Sequence, residues 1–369
     1  MLVHAVTTYG GGKPWEPTDL ELDPPRDGEV LVKLEFAGLC HSDEHIRAGA
    51  DARYPMIGGH EGSGVVEAVG NGVDRVAVGD HVVLSFIPAC GKCKWCAAGH
   101  SNLCDVGANL MLGCMPDGTF RAHAGGEDFG QCCCLGTFAE RAVVSQWSCV
   151  PIAKDIPLDV AALVGCGVPT GYGAAVRTAD VRPGEVVVVF GCGGVGVNAV
   201  QGAALAGASA VVAVDPVALK REFALAHGAT HAFADATEAG QFVLSVTNGQ
   251  GADKTIVVAG TVDAEVTRQA FDLLAKNGTE VIVGMSDSVL AESIVLPGTV
   301  LAFYQKTVKG SLYGGSNPSA DIPAILDLYR KGRIALDELI TTRYALDDVA
   351  AGYQDMHLGR NIRGIVEIG

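Results

Sequence analysis

Four cysteines stand close together in this chain, and their type and spacing point to metal chemistry. The stretch CGKCKWCAAGHSNLC contains Cys90, Cys93, Cys96 and Cys104 among glycines and lysines that suit a tight loop. Thiolates three residues apart on such a loop can converge on one ion, and four of them leave no coordination position open. The spacing therefore predicts a closed structural zinc site that shapes a loop and performs no catalysis. The alternative is a cluster of cysteines that holds no ion.

A glycine-rich motif indicates a bound dinucleotide. The residues GCGGVG directly follow the apolar run VVVVF and open a run of small residues typical of a helix. In this context the glycines let the backbone approach a pyrophosphate, and the helix N-terminus attracts its charge. The alternative is a strand-to-helix turn without a ligand. The predicted cofactor residues of this region are Gly191, Gly193, Gly194, Val195, Gly196, Asp215 and Lys220.

The acidic residue of this region bears on which nucleotide is bound. Asp215 ends the second apolar run of the same unit. Its carboxylate can accept hydrogen bonds from the ribose hydroxyls and repel a 2′-phosphate, which favours NAD over NADP. Lys220 and Arg221 follow closely and temper that preference.

Three scattered residues carry the donor types of a second metal site. Cys40 lies in CHSDEH, His60 in GGHEGSG and Cys166 in GCGVPTGYG. Two thiolates and one imidazole make a zinc set with the fourth position open, as a reacting zinc needs. Spacing alone leaves open whether these side chains meet, because a single cysteine in apolar sequence usually packs and a single histidine is usually structural.

The elements that must position these residues follow two patterns. Residues 28–88 contain short β patterns separated by glycines, which predict a small β-barrel or sandwich. From about residue 168 onward, apolar strands alternate with helices, as in a doubly wound parallel sheet. The stretch DIPAILDLYRKGRI predicts a helix, and the C-terminal RGIVEIG predicts a strand. Residues 104–137 read as a long loop without periodicity, a kind of segment that is usually functional.

Composition restricts the class of protein. The chain has 369 residues, of which 49% are hydrophobic and 18% charged, as in a compact globular protein of two or three domains. The net charge of −16 argues against a nucleic-acid partner. Neither a signal peptide nor a membrane span is expected, because no basic segment precedes an apolar run and no apolar run is long enough. The twelve cysteines then fit a reducing cytoplasm, where thiols bind metals or catalyse.

Taken together, these motifs resemble the zinc-dependent medium-chain alcohol dehydrogenase family. CHSDEH, GGHEGSG, CGKCKWC, the nucleotide fingerprint and the C-terminal NIRG occur in the family's order and span nearly the whole chain. The resemblance implies an α/β protein with a GroES-like β-rich catalytic domain and a Rossmann domain whose parallel sheet is doubly wound. The catalytic domain with its structural zinc loop is expected over 1–167, the NAD-binding domain over 168–310, and a segment completing the catalytic domain over 311–369. The active site is expected in the cleft between the domains.

The resemblance also implies roles for individual residues. Two cysteines and a histidine are the established ligand set of the catalytic zinc in alcohol dehydrogenase, and Cys40, His60 and Cys166 match them. The other matches concern the surroundings of the zinc, the proton path and the cofactor. Asp43 matches the carboxylate that orients the zinc histidine, Glu61 a carboxylate beside the zinc, Ser42 and His45 a proton relay, His41 and Arg363 contacts of the pyrophosphate, and Thr170 a neighbour of the nicotinamide.

The implied function is hydride transfer between a primary alcohol or aldehyde and NAD(H), with two zinc ions per chain. CHSDEH, CGKCKWC and CCCLGTFAE resemble the actinobacterial branch assayed with N,N-dimethyl-4-nitrosoaniline. Members of that branch are nicotinoproteins, which keep the nucleotide bound and pass electrons to an external acceptor. Relatives with a long loop after the structural zinc, here residues 111–134, are often homodimers. For Cys132, Cys133 and Cys134 a packing or loop role is favoured over chemistry.

Other functions on the same fold stay open. One branch of the family oxidises glutathione or mycothiol adducts of formaldehyde. Its glutathione-type members carry an arginine shortly after the fourth structural cysteine, and residues 105–108 contain none. Phe86, which matches an aromatic residue of the substrate channel, favours apolar substrates instead. A zinc-free quinone reductase lacks both cysteine sets, and a non-enzymatic NAD-sensing or structural protein would not need an open zinc position.

Overall fold

A computed structural model describes residues 1–49, 52–260, 262–284 and 293–369. The chain divides into two compact units, one made of Met1–Cys166 and Asn317–Gly369 and the other of Gly167–Ser316. The boundaries predicted after residues 167 and 310 differ from these limits by one and six residues. The second boundary lies later because the Ser316 hydroxyl donates to the Pro169 carbonyl at 3.2 Å, which ties this segment to the second unit.

The first unit is rich in β-structure, as predicted for a GroES-like domain. The strands are β1 (Leu2–Thr8), β2 (Glu16–Leu22), β3 (Glu29–Gly38), β4 (Met56–Ile57), β5 (Gly62–Val69), β6 (His81–Leu84), β7 (Ala122–Ala124), β8 (Glu127–Gln131), β9 (Arg141–Ser145), β10 (Cys149–Ile152), β17 (Ile340–Ala345) and β18 (Arg363–Glu367). β1, β2, β7, β8 and β4 close into a barrel, while a separate sheet has the order β10-β6-β5-β3-β18-β17, with β9 paired to β3. The helices are α1 (His41–Ala48), α2 (Lys94–Ala97), α3 (Leu158–Leu163), α10 (Pro318–Arg330) and α11 (Val349–His357).

The C-terminal segment is an integral part of this unit. β18 pairs antiparallel with β3, so that Ile365 lies opposite Gly38, and it pairs parallel with β17 on its other side. Since β3 ends two residues before Cys40, the last strand of the chain supports the start of the candidate site. The strand predicted for the C-terminal residues is confirmed.

The prediction of a structureless loop over 104–137 is wrong in part. β7 and β8 form an antiparallel hairpin inside it, with Ala124 opposite Glu127. The two residues between them, Gly125 and Gly126, have φ values of 59° and 82°. A two-residue turn of this kind needs positive φ at both positions, which glycine adopts without strain. The adjacent glycines were the overlooked hairpin signal.

The second unit is the predicted doubly wound Rossmann domain. Its sheet has the order β13-β12-β11-β14-β15-β16, and every pair in it is parallel. All five residues of β11 are buried, because helices cover both faces of such a sheet. The strands are β11 (Val186–Phe190), β12 (Ala210–Val214), β13 (His231–Phe233), β14 (Ala252–Val257), β15 (Leu274–Ile282) and β16 (Thr307–Gly310). The helices are α4 (Gly167–Gly173), α5 (Gly194–Leu205), α6 (Ala218–Ala226), α7 (Ala236–Val246), α8 (Ala264–Leu273) and α9 (Gly298–Phe303).

In the part of the chain that the structure describes, no helix combines the length and the apolar character that crossing a bilayer requires.

One carboxyl in the second unit is buried without a hydrogen-bond partner. Glu280 on β15 has no exposed surface, and neither of its side-chain oxygens is bonded to any described residue. Burial raises the pKa of its carboxyl to about 7, although the charge of Lys306 opposes the shift. The Lys306 ammonium instead donates to the carbonyl of Phe271 at 2.9 Å. At a pH between the unfolded and folded pKa values, the folded chain therefore keeps a proton on Glu280 that the unfolded chain has lost.

We expect this carboxyl to make stability pH-dependent. The pKa of Glu280 is higher in the folded chain than in the unfolded chain, where it is about 4.3. Its contribution to folding stability is therefore fully present below about pH 4.3. The contribution is lost as pH rises through the folded pKa of about 7. Glu280→Gln should therefore lose less thermal stability than the native chain between about pH 5 and about pH 8. The control is Glu222→Gln, which alters an exposed carboxyl on α6. Equal losses in the native chain and Glu280→Gln would show that the prediction is wrong.

Candidate active site

Four buried side chains of the first unit converge on one point. The ligand atoms of Cys40, His60, Glu61 and Cys166 all lie within 4.8 Å of one another. None of these residues exposes more than 7% of its surface. The three residues predicted to hold the catalytic zinc are thus brought together, with Glu61 beside them. Two sulfur atoms, an imidazole and an oxygen at this spacing fit the preferred donors of zinc.

Local structure explains how distant parts of the chain reach this point. Cys40 follows β3 and precedes the first turn of α1, His60 and Glu61 directly precede β5, and Cys166 follows α3. Because β3 and β5 are paired, with Ala37 opposite Gly62, the end of one strand faces the start of the other. The register of β3 and β5 therefore brings Cys40 close to His60 and Glu61.

The hydrogen bonding of His60 suits a metal ligand. Its Nδ1 lies 2.8 Å from Oδ1 of Asp43, which leaves Nε2 to face the cysteines. Burial lowers the pKa of the His60 imidazole, but the charges of Asp43, Cys40 and Cys166 outweigh burial and raise it well above its usual value. A hydrogen bond with Cys166 holds the pKa of the Cys40 thiol well below its ordinary range. An excess of negative charge around one imidazole is the environment that a divalent cation stabilises.

An arginine from the C-terminal strand offsets part of this negative charge. Arg363 Nη2 donates to Oε2 of Glu61, and both side chains are buried. Burial raises the pKa of the Glu61 carboxyl to about 7 against the opposing charge of Arg363. The Nε of Arg363 is also buried and has no hydrogen-bond partner among the described residues. Arg363 therefore keeps a donor for a group outside the protein chain.

The predicted proton-relay residues lie together on α1. Ser42 Oγ is 3.6 Å from Cys40 Sγ, which places its hydroxyl beside the ligand cluster. The rings of His41 and His45 stack with centroids 4.9 Å apart, because residues four apart share one helix face. Burial, followed by the nearby charge of His45, lowers the pKa of His41. His357 from α11 meets His41 edge-on at 5.6 Å.

Two further neighbours of His60 differ in character. The Phe86 ring meets the imidazole edge-on, with centroids 5.5 Å apart, which gives the site an apolar wall. On another side, Cys132 and Cys133 lie close enough to His60 to form a further group with metal-ligand geometry. The Cys132 thiol donates to Oδ1 of Asp43 at 3.3 Å. The cysteine run was predicted to pack, and its first residue in addition bonds to the candidate site.

The second cysteine cluster forms a compact loop. The thiols of Cys90, Cys93, Cys96 and Cys104 lie within 4.8 Å of one another. Backbone N–H groups of Cys90, Cys93 and Cys96 donate to cluster sulfurs at 3.4–3.5 Å. Such bonds, chiefly that from the amide of Cys96, lower the pKa of the Cys93 thiol to about 6. Four thiols with amide donors fit a closed tetrahedral zinc site.

The nucleotide fingerprint has the geometry of a phosphate-binding turn. Gly191 follows β11 with a φ of 89°, a conformation that residues with a side chain rarely adopt. A side chain at Gly196 would collide with the carbonyl of Gly191, so α5 can begin this close only with glycine. Gly194 and Val195 form the first turn of α5, and Gly193 is its N-cap. The free N–H groups of that turn fit a pyrophosphate.

Asp215 lies where β12 ends, and its carboxylate braces the same turn. Its Oδ2 accepts from the N–H of Cys192 at 2.8 Å, and its Oδ1 accepts from the N–H of Val217 at 2.9 Å. Each oxygen keeps a lone pair for a ribose hydroxyl. Lys220 lies in the first turn of α6. Thr170 lies on α4, and its buried hydroxyl has no partner among the described residues, which fits a contact with a cofactor.

Sequence reasoning missed a group of aromatic residues behind the site. Tyr353 Oη donates to Oδ2 of Asp43 at 2.9 Å, although 310 positions separate the two residues. Its ring stacks on Trp15, with centroids 5.7 Å apart, and meets Phe138 edge-on at 6.3 Å. No short motif signals such a contact. The only indication was its position in the C-terminal segment expected to complete this domain.

Family models match both parts of the chain. The model described as an alcohol dehydrogenase GroES-like domain matches residues 26–154, and that of a zinc-binding dehydrogenase matches residues 194–331. The chain is also similar over its length to individual proteins. It is 54% identical to a putative alcohol dehydrogenase D of Mycobacterium tuberculosis, over 99% of this chain and 100% of the relative.

Two further similarities concern named activities. An NDMA-dependent alcohol dehydrogenase of Amycolatopsis methanolica is 53% identical, over 99% of both chains. Among solved structures, the benzyl alcohol dehydrogenase of Acinetobacter calcoaceticus is 30% identical and superposes with a TM-score of 0.92 over 100% of both chains.

We expect the two cysteine clusters to respond differently to substitution. Cys40→Ser should abolish turnover and remove one zinc while the fold persists, because its cluster is assembled by elements that the sheet already fixes. Cys93→Ser should lower the thermal unfolding midpoint, because metal binding there is coupled to folding of the loop. Zinc content and unfolding are measured on the same samples. Cys134→Ser, which lies outside both clusters, is the control and should keep both ions. Loss of the fold in Cys40→Ser, or an unchanged midpoint in Cys93→Ser, would contradict this assignment.

Proposed function

The chain belongs to the zinc-dependent medium-chain alcohol dehydrogenase family, and from that premise we propose which residues carry the reaction. Cys40, His60 and Cys166 hold the catalytic zinc, and the four clustered cysteines hold the structural one. The observation that carries this proposal is the convergence of two thiols and an imidazole whose Nδ1 is already bonded to Asp43. When bound, the zinc supplies a Lewis acid that lowers the pKa of an alcohol. NAD supplies the hydride acceptor.

The residues of the chain then orient the substrate and move its proton. The hydroxyl of Ser42, beside Cys40, accepts the proton that the alcohol loses and passes it outward toward His45. Stacking on His41 holds the His45 ring on the same face of α1. The opposite transfer serves aldehyde reduction. Glu61, paired with Arg363, balances the charge around His60 as the substrate changes its protonation state.

We propose which residues contact the cofactor. The glycine turn from Gly191 to Gly196 and the start of α5 contact its pyrophosphate, and Asp215 contacts the adenosine ribose. Arg363 supplies positive charge and, through its unbonded Nε, a donor to the pyrophosphate, and His41 supplies a ring N–H. The hydroxyl of Thr170 contacts the nicotinamide end. Lys220 lies where it moderates the preference for NAD that Asp215 sets.

Primary alcohols and aldehydes with an apolar body are the proposed substrates. Phe86 places an aromatic face directly against His60. Transfer of an apolar group onto such a face is favourable. Residues 105–108 lack the arginine that anchors the substrate carboxylate in glutathione-type relatives. The protein is proposed to act in the cytoplasm, where reducing conditions keep cysteines available for metal binding.

We also propose that the nucleotide stays bound during turnover and that an external acceptor reoxidises it. The similarity to an NDMA-dependent enzyme over the whole chain supports this mode of action. Tight retention of the nucleotide requires additional contacts with the protein or a closed binding cleft, because each tenfold gain in affinity corresponds to about 1.4 kcal/mol of binding free energy.

Denaturing the purified protein is expected to release about one NAD(H) per chain, because a nicotinoprotein carries its nucleotide through purification. Turnover with a panel of primary alcohols should be fast with a nitroso acceptor and slow with free NAD. A protein that is purified without nucleotide and cycles freely on added NAD would contradict nucleotide retention. It would leave the alcohol dehydrogenase assignment unaffected.

The protein is further proposed to form a homodimer through the second unit. Among the described residues, β16 is the edge strand of the parallel sheet and pairs only with β15. The segment that precedes β16 in the sequence exposes large apolar side chains, including Phe303 at 82% and Val295 at 67%. An edge strand with unpaired backbone groups is suited to pairing with a second copy across a two-fold axis, and exposed apolar side chains in the preceding segment favour association.

We expect light scattering of the purified protein to give twice the mass of the chain. Phe303→Asp should reduce the dimer fraction, because it would bury a charge at the paired edge. The matched control is Leu2→Asp, which alters an exposed apolar residue of the first unit. A monomer or tetramer mass for the native protein would refute the dimer.

A further inference from the structure

The buried carboxylate of Asp43 has more partners than its bond to the zinc histidine. Oδ1 accepts from His60 Nδ1 at 2.8 Å and from the Cys132 thiol at 3.3 Å. Oδ2 accepts from Tyr353 Oη at 2.9 Å. Asp43 has no exposed surface, so water does not supply these bonds. Both oxygens are therefore held, and the plane of the carboxylate is fixed.

The phenol that holds Oδ2 is itself held rigidly. The Tyr353 ring lies 2% exposed between Trp15 and Phe138. The indole of Trp15 donates to Oε1 of Glu44 at 2.7 Å. Glu44 is the neighbour of Asp43 on α1, and it also bonds to Arg47 at 2.8 Å. The aromatic cluster is thus anchored to the same helix that carries Asp43, which aims the phenol at the carboxylate.

Cys132 has two possible roles, because its sulfur is near both Asp43 and His60. It belongs, with Cys133, to a group that has metal-ligand spacing around His60. The Cys132 thiol donates at 3.3 Å to Oδ1 of Asp43, the oxygen that His60 Nδ1 also contacts. Cys40 and Cys166, in contrast, group with His60 and Glu61. The geometry therefore favours Cys132 as a donor, and Cys40 and Cys166 as the ligands.

We propose that Tyr353 and Cys132 are positioning residues for the catalytic zinc. They fix the carboxylate of Asp43, and through it the plane of the His60 imidazole. This inference rests on the proposed ligand set of Cys40, His60 and Cys166. Groups that orient a metal-bound histidine affect metal affinity and activity by about 10- to 100-fold. A buried carboxylate oxygen that loses its hydrogen-bond donor is left unsatisfied, and the carboxylate group can then rotate toward a different donor.

The test is the release of zinc from the complete enzyme to a chromogenic chelator, together with steady-state turnover. Tyr353→Phe removes the hydroxyl and keeps the ring in its aromatic cluster, so the fold should persist. We expect it to release the catalytic zinc about tenfold faster than the native enzyme and to lower kcat more than it raises KM. Cys132→Ala should accelerate release less, because a thiol is a weak donor. Cys132→Ser, which keeps a donor, should release zinc at nearly the native rate.

The matched control is Tyr344→Phe. It removes a hydroxyl from the same unit, and that hydroxyl donates to Asp355 at 2.9 Å and not to Asp43. Tyr344→Phe should leave zinc release and kcat unchanged. Unchanged or slower zinc release in Tyr353→Phe would overturn the proposal. Loss of zinc in Cys132→Ser would also overturn it, because Cys132 would then be a ligand. If Cys40→Ser contains as much zinc as the native enzyme, the proposed ligand set itself is wrong. That result is distinct from a failure of the positioning role.

Discussion

A buried negative charge that several parts of the chain must satisfy dominates the first unit. Asp43 has no exposed surface, and it accepts hydrogen bonds from His60, Cys132 and Tyr353. Each donor comes from a separate segment: the approach to β5, the turn after β8, and α11 near the end of the chain. A buried carboxylate without these hydrogen bonds would be strongly destabilising, so the fold is stable only when the three segments come together. The same bonds orient the histidine that faces the two cysteines.

The two cysteine clusters differ in how the fold brings their residues together. Cys90 and Cys104 lie 14 positions apart on one loop, so an ion there would organise a local segment with little secondary structure of its own. Cys40 and Cys166 lie far apart in the sequence. The pairing of β3 with β5 brings Cys40 to His60, and Cys166 follows α3. A site assembled in this way can leave one coordination position for substrate without losing its shape. Arg363, delivered by the last strand, limits the excess of negative charge beside it.

Much of this arrangement could be predicted from the sequence, and physical reasons explain why the rest could not. Short motifs carry their own geometry: the cysteine loop, the glycine turn at Gly191 and the acidic end of β12 are local, so their residue types suffice to predict them. The convergence of Cys40, His60 and Cys166 depends on strand register, and sequence reaches it only through resemblance to a family. Tyr353 escaped prediction because its bond to Asp43 joins residues 310 positions apart and matches no motif. The hairpin of β7 and β8 was overlooked although Gly125–Gly126 signals it, because its strands are only three and five residues long.

X-ray absorption at the zinc edge of the purified native protein tests the central claim most directly. A four-cysteine site together with a site of two cysteines, one histidine and one exchangeable oxygen predicts, averaged over both ions, about three sulfur neighbours near 2.3 Å and about one nitrogen or oxygen near 2.0–2.1 Å. The outer-shell scattering of an imidazole should accompany this first shell. A spectrum with sulfur neighbours alone, or one without imidazole scattering, would contradict the claim that His60, held by Asp43, is a ligand of the catalytic zinc.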